Sequence, residues 1–207
     1  MNFKPVFKSP DRINIIAENF LSRYHKSRSL PIPIEEIIEF QLGIDIIPVP
    51  GLKDCFESVG LDIDAFISSD FKSITVDCYM QEHRENRYRF TLAHEIGHML
   101  LHQDIYSQFH FSSIEDWLRT IKEIPLKDRE MGEWQSNEFA GLILVPKSIL
   151  KDEFEQAMEK SRVSFDVKNR AFLLHVAIKH HLAPLFCVSN EVVRIRLQND
   201  NLITKGN

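Results

Sequence analysis

The sequence predicts an α+β domain in which a small sheet packs on helices, followed by a helical C-terminal portion. Three observations predict it. Between residues 44 and 79 the extended segments cluster, and in the last of them Ile74, Val76 and Cys78 alternate with Thr75, Asp77 and Tyr79, the period of a half-buried strand. From about Glu82 the period becomes helical: Phe90, Ala93, Gly97 and Leu101 form one stripe, and Leu92, Ile96, Met99 and Leu100 widen it, so this helix should be largely buried. Beyond Pro146 helical patterns continue almost to the end of the chain. With 207 residues, 43% of them hydrophobic and 27% charged, the chain can bury a real core, and disorder is excluded as a first reading.

The elements follow in order. Ser9-Pro10-Asp11 supplies a helix cap, apolar residues recur at Ile13, Ile16, Ala17, Phe20 and Leu21, and Pro31 and Pro33 stop the pattern. A shorter helix is predicted from Ile34 to Leu42, ended by Gly43. Three extended segments then cover 44–49, 60–67 and 73–79, ahead of the buried helix. The stretch from Gln103 to about Lys127 is mixed, and its Phe109, Phe111, Ile114, Trp117, Leu118 and Ile121 are expected to form a docked helix or a lid. A helix from about Asp128 to Leu144 is stopped by Pro146. Helical patterns over 149–160 and 169–181 come next. Residues 182–189 and 190–197 then read as a short helix, a tight turn and a second helix capped by Ser189, in the manner of a helix-turn-helix. The expected division is 1–150 for the sheet-containing domain and 151–207 for the helical C-terminal region.

Charge is unevenly spread. The formal net charge is -5, yet residues 160–207 carry eight Lys/Arg against three Asp/Glu. A chain basic throughout is excluded. An anionic partner at the C-terminal end stays open, with weak DNA contact through Arg194 and Arg196 as the specific form. Cys55, Cys78 and Cys187 are far apart and form no CxxC pair, so they are expected to be reduced thiols. No apolar run approaches the roughly 20 residues of a membrane span, and Met1–Asp11 lacks the apolar core of a secretory signal, so the expectation is a cytoplasmic protein with no membrane partner.

The chemistry lies in His94-Glu95-Ile96-Gly97-His98, an HExxH sequence inside the buried helix. Residues four apart share a helix face, so both imidazoles can reach one ion beside it. Glu95 is rotated by about 100° from His94 and lies alongside an open coordination position without having to bind. Burying two histidines and a glutamate together is costly unless something pairs them, and a bound cation would satisfy all three. This is the arrangement of a zinc hydrolase, in which the ion lowers the pKa of a water toward about 7 while the glutamate takes its proton and passes it to the leaving amine.

A catalytic zinc takes three protein ligands and a water. The best third candidate is Glu133 on the next predicted helix, with Glu130 and Glu138 as fallbacks. Asn137, four residues after Glu133, is placed to hydrogen-bond a ligand histidine. His102 continues the four-residue series but lies two turns from His94, roughly 12 Å along the axis, too far to share the ion. The donor that would stabilise an oxyanion stays open among His83, Tyr88, Tyr106, His110 and His175.

Arg89-Phe90-Thr91-Leu92-Ala93-His94-Glu95-Ile96-Gly97-His98-Met99-Leu100-Leu101-His102, then Glu133-Trp134-Gln135-Ser136-Asn137-Glu138-Phe139-Ala140 and Leu142-Ile143-Leu144-Val145-Pro146, resembles the ImmA/IrrE family of zinc metallopeptidases. The strand before the zinc helix is similar too, so the likeness covers about residues 10 to 150. Ser136 stands where the family commonly has Ala. The resemblance implies a zincin-like metallopeptidase fold, Zn2+ held by His94, His98 and Glu133, and Glu95 as catalytic base and acid. It further implies an endopeptidase that cuts a helix-turn-helix repressor at a defined site to relieve repression. The competing reading is a DNA-binding or partner-capturing regulator whose metal site is structural or vestigial.

Overall fold

The computed structural model describes residues 5–27, 29–58, 60–106, 108, 117–119, 123–165 and 169–204. Helix α1 (Pro10–Tyr24) starts where Ser9 Oγ accepts a hydrogen bond from the Arg12 amide, and it buries Ile13, Ala17, Phe20 and Leu21, four residues of the predicted stripe. Helix α2 (Ile34–Glu36) passes into a π-helical turn, Ile37–Leu42, which Gly43 closes at φ 66°. That left-handed conformation is open to glycine at no steric cost.

Strands β1 (Asp45–Val49), β2 (Ala65–Ile67) and β3 (Ser73–Asp77) form one sheet in the order β1-β3-β2. The β1–β3 pair is parallel, with Ile46 opposite Ile74, and β2 runs antiparallel to β3, with Phe66 opposite Thr75. The alternation read from the sequence holds at Ile74 and Val76, both fully buried, but the strand stops two residues early. Asp77 is the reason. One of its carboxylate oxygens accepts from the Tyr79 amide and caps α4 (Cys78–His83), while the other accepts from the Lys53 amide at the start of α3 (Leu52–Glu57). A cap signal thus outcompetes a period-two pattern. The segment predicted as extended over 60–67 is strand only at its end.

The predicted buried helix is α5 (Glu85–Leu101), which packs lengthwise on α7 (Leu126–Leu144), with α6 (Gln103–Tyr106) between them in sequence. They meet tightly at Gly97, where an added Cβ would lie 3.0 Å from Ser136 Cα and 3.1 Å from its carbonyl oxygen. Both atoms belong to backbone, so they cannot swing aside. Gly97→Ala is therefore expected to force the helices apart, to cost about 1–3 kcal/mol in the range typical of overpacking, and to lower the thermal midpoint. The check is calorimetry of both proteins in chelator.

Of the apolar residues expected in a docked helix or lid, Trp117 and Leu118 are placed, and Phe109, Phe111, Ile114 and Ile121 lie outside the described residues. The Trp117 ring packs on Phe56 and Phe66, at 5.4 and 5.2 Å between centroids, in a small cluster beside the sheet.

The C-terminal portion is helical, as predicted: α8 (Lys147–Ser164), then α9 (Arg170–Ala177), which continues through a π-helical turn, Ile178–Leu182, into α10 (Ala183–Phe186), and finally α11 (Asn190–Asn199). Cys187 takes a left-handed conformation at φ 52°, Ser189 caps α11 through the Val192 amide, and the two helical stretches meet at 100°. That is the angle of a helix-turn-helix pair. Even so, Phe186, Val188, Val193 and Leu197 join the same buried core as Ile96, Phe139 and Ile143. Arg196 is 2% exposed, held by Glu138 at 3.3 Å and Asp200 at 2.7 Å, so one of the two arginines considered for DNA contact faces inward. Among the described residues no single helix is long and apolar enough to cross a membrane.

Candidate metal centre

One turn of α5 separates His94 from His98, and their Nε2 atoms face each other at 2.9 Å. Across the α5–α7 contact Glu133 completes the group. Its Oε2 lies 3.1 Å from His94 Nε2 and its Oε1 lies 3.6 Å from His98 Nε2. All three residues can place one ligand atom within 4.8 Å of the others. Atoms bound to a tetrahedral zinc at about 2.0–2.1 Å stand roughly 3.3 Å from one another, which the three measured separations bracket.

The donor chemistry fits a cation as well. Asn137, one turn beyond Glu133, uses its Oδ1 to accept a hydrogen bond from His94 Nδ1 at 2.9 Å. In the neutral ring this leaves the Nε2 lone pair pointing inward. Burial pushes the His94 pKa down, but the hydrogen bond and charge of Glu133 outweigh it and raise the group to about 9. Glu133 is its mirror image: burial pushes the carboxyl up, and the charge of His98 with hydrogen bonds from His94 and His98 holds it well below the usual carboxylate range. The Glu133 carboxylate thus favours positive charge between itself and the imidazoles, the charge a divalent ion would bring.

Of the other carboxylates considered, Glu138 accepts from Arg196 and from Asn199 Nδ2, and Glu130 is exposed on the outer face of α7. Neither joins the group. Glu95 is 5% exposed and its Oε2 accepts a 2.9 Å hydrogen bond from the Ile67 amide on β2. Burial raises its pKa, partly opposed by the charges of His98 and His94. Sequence reasoning missed this anchor because a backbone N–H leaves no residue-type signature.

His102 is the C-cap of α5, wholly buried behind His98, with the two Nδ1 atoms 3.2 Å apart. Burial, then the neighbouring His98 and Lys8 charges, push its pKa down to about 3, so the ring is neutral. Among the candidate oxyanion donors, His83 and His175 are exposed, Tyr88 donates to Glu35 at 2.8 Å, and His110 lies outside the described residues. Tyr106 lines the cleft with its ring 5.5 Å from that of His98. Its hydroxyl is kept protonated by burial and by the charges of Glu95 and Glu133, which push its pKa well up. The cleft measures about 620 Å³ and is lined by His94, Glu95, His98 and Glu133 together with Phe66 and Trp117.

A family model described as IrrE N-terminal-like domain, of the peptidase M78 group, matches residues 51–198. No curated protein matches the chain. A solved structure described as a Mycobacterium tuberculosis transcriptional regulator is similar in fold, with TM-score 0.51 and 17% identity over 90% of this chain. This chain spans 55% of that neighbour's length.

Proposed function

Since the chain belongs to the IrrE N-terminal-like domain family of the peptidase M78 group, we propose that it is a zinc-dependent endopeptidase acting on a regulatory protein, a helix-turn-helix repressor. The observation that carries this reading is the convergence of His94 Nε2, His98 Nε2 and the Glu133 carboxylate within 3.6 Å, beside a buried and separately anchored Glu95. Those three residues would hold a zinc ion, which would supply Lewis acidity to lower the pKa of a water and polarise a peptide carbonyl.

The chain's own residues do the rest. Glu95, held by the Ile67 amide and with its pKa raised by burial, takes the proton of the attacking water and later delivers it to the leaving amine. Tyr106 lines the same cleft, and its protonated hydroxyl donates to the oxygen on which negative charge develops. Among the described residues strand β2 pairs with β3 alone, and Ala65, two residues before Ile67, also lines the cleft. An extended substrate segment pairs with that open edge. The DNA-binding reading has less support, because Arg196 is spent on Glu138 and Asp200, leaving Arg194 as the cation of α11.

The test is incubation of the zinc-loaded protein with helix-turn-helix repressors from its own genome, followed by intact-mass spectrometry. Two fragments with a single junction are expected, and chelator should prevent them. Intact repressors in the presence of a fully loaded metal centre would overturn the peptidase reading and leave capture without cleavage.

A further inference from the structure

His102 is a buried polar group beside the centre that the mechanism above does not use. It is 0% exposed, and its Nδ1 lies 3.2 Å from His98 Nδ1. Its other nitrogen, Nε2, is buried and has no hydrogen-bond partner among the described residues. The N-terminal segment closes over it. Lys8 Nζ donates to the Leu101 carbonyl at 2.7 Å, and the Lys8 amide donates to Gln135 Oε1 at 3.2 Å. At Gly132, a Cβ would meet His102 Cε1 at 3.8 Å and Pro5 Cγ at 3.9 Å, so these two atoms flank the same spot on α7.

A wholly apolar residue at position 102 would pack here without stranding a nitrogen. An imidazole instead leaves a polar atom dry, which is unfavourable unless its other nitrogen does something no hydrocarbon can. Resting on the metal reading above, we infer that His102 is a positioning residue that sets the tautomer and ring orientation of His98. For His98 Nε2 to offer a lone pair to a cation, its proton must stand on Nδ1, and the atom facing Nδ1 is His102 Nδ1. His102 therefore accepts there and carries its own proton on the unpartnered Nε2. The two ligand histidines are oriented by different means: His94 by an amide oxygen on α7, and His98 by a ring at the end of its own helix.

The test compares zinc affinity, by competition with a chelating indicator, for the parent chain, His102→Asn and His102→Leu, together with the thermal midpoint of each in chelator. Asn places its Oδ1 near the position of the histidine Nδ1 and restores an acceptor, whereas Leu does not. The expected result is that Leu weakens zinc binding about 10–100-fold, that Asn recovers most of that loss, and that the metal-free Leu protein melts no lower than the parent. Leu binding zinc as tightly as the parent, Asn falling as far as Leu, or a loss of affinity matched by a lower metal-free midpoint would each overturn the inference. A parent chain that takes up no zinc would overturn the metal reading and this one with it, while a parent that binds zinc and cuts nothing would overturn only the peptidase reading.

Discussion

Glu95→Gln is expected to keep its metal and to lose cleavage by roughly 10²–10⁴-fold, the usual contribution of a positioned general base and acid. The replacement is isosteric, and its amide oxygen can still accept the Ile67 N–H that anchors Glu95 at 2.9 Å. The fold and the His94–His98–Glu133 group should therefore be undisturbed. What disappears is a proton acceptor whose pKa is raised by burial, next to charges from His98 and His94 that keep it from rising further. Stoichiometric metal content with a single-turnover rate constant for repressor cleavage measures both halves of the expectation. Cleavage within tenfold of the parent would remove Glu95 from the proton transfer.

Arg196→Ala is expected to destabilise the protein by roughly 3–5 kcal/mol, because it strips the cation from a buried ion network while leaving the acids in place. The Arg196 side chain is 2% exposed, and those of Glu138 and Asp200 are each 9% exposed. Lys147, 3.6 Å from Asp200, covers only part of the deficit. The aliphatic stem matters too, since Arg196 Cδ would lie 3.0 Å from a Cβ at Gly141, so truncation also opens a void against α7. Urea unfolding should show a lower midpoint with an unchanged slope. Replacing Arg196 by Met together with Glu138 by Leu should recover most of the loss, because no carboxylate on α7 is then left buried without a cation. If the single variant loses less than about 1 kcal/mol, the figure usual for exposed pairs, the network is not the brace between α11 and α7 that its burial indicates.

That brace bears on the centre. Glu138 sits five residues after Glu133 on the same helix, on another face by spacing, and stands in the sequence with Glu130 as a fallback third ligand. In the fold the two carboxylates have opposite tasks, one facing the histidines and the other facing the C-terminal helix. Likewise Arg194 and Arg196 look equivalent in sequence, two cations on one short helix, and only packing against α7 turns one of them inward. The strand at 73–77 shows the same limit at short range, where Asp77 satisfies the rule for an alternating strand and the rule for a helix cap, and its partners Lys53 and Tyr79 decide between them.

What the sequence by itself determined is local. The four-residue step stacks His94 on His98 wherever the helix lies, the apolar stripe says that this helix is buried, and Gly43 and Ser189 mark their helix ends by chemistry carried in one residue. The tertiary structure decided everything that needed two distant segments to meet: Glu133 closing the group across the Gly97–Ser136 contact, the Ile67 amide seizing Glu95, and the N-terminal segment sealing His102 behind His98. The physical reason is range. Backbone geometry fixes neighbours within about two turns of a helix, whereas contacts between elements depend on how every face finds its complement in one core.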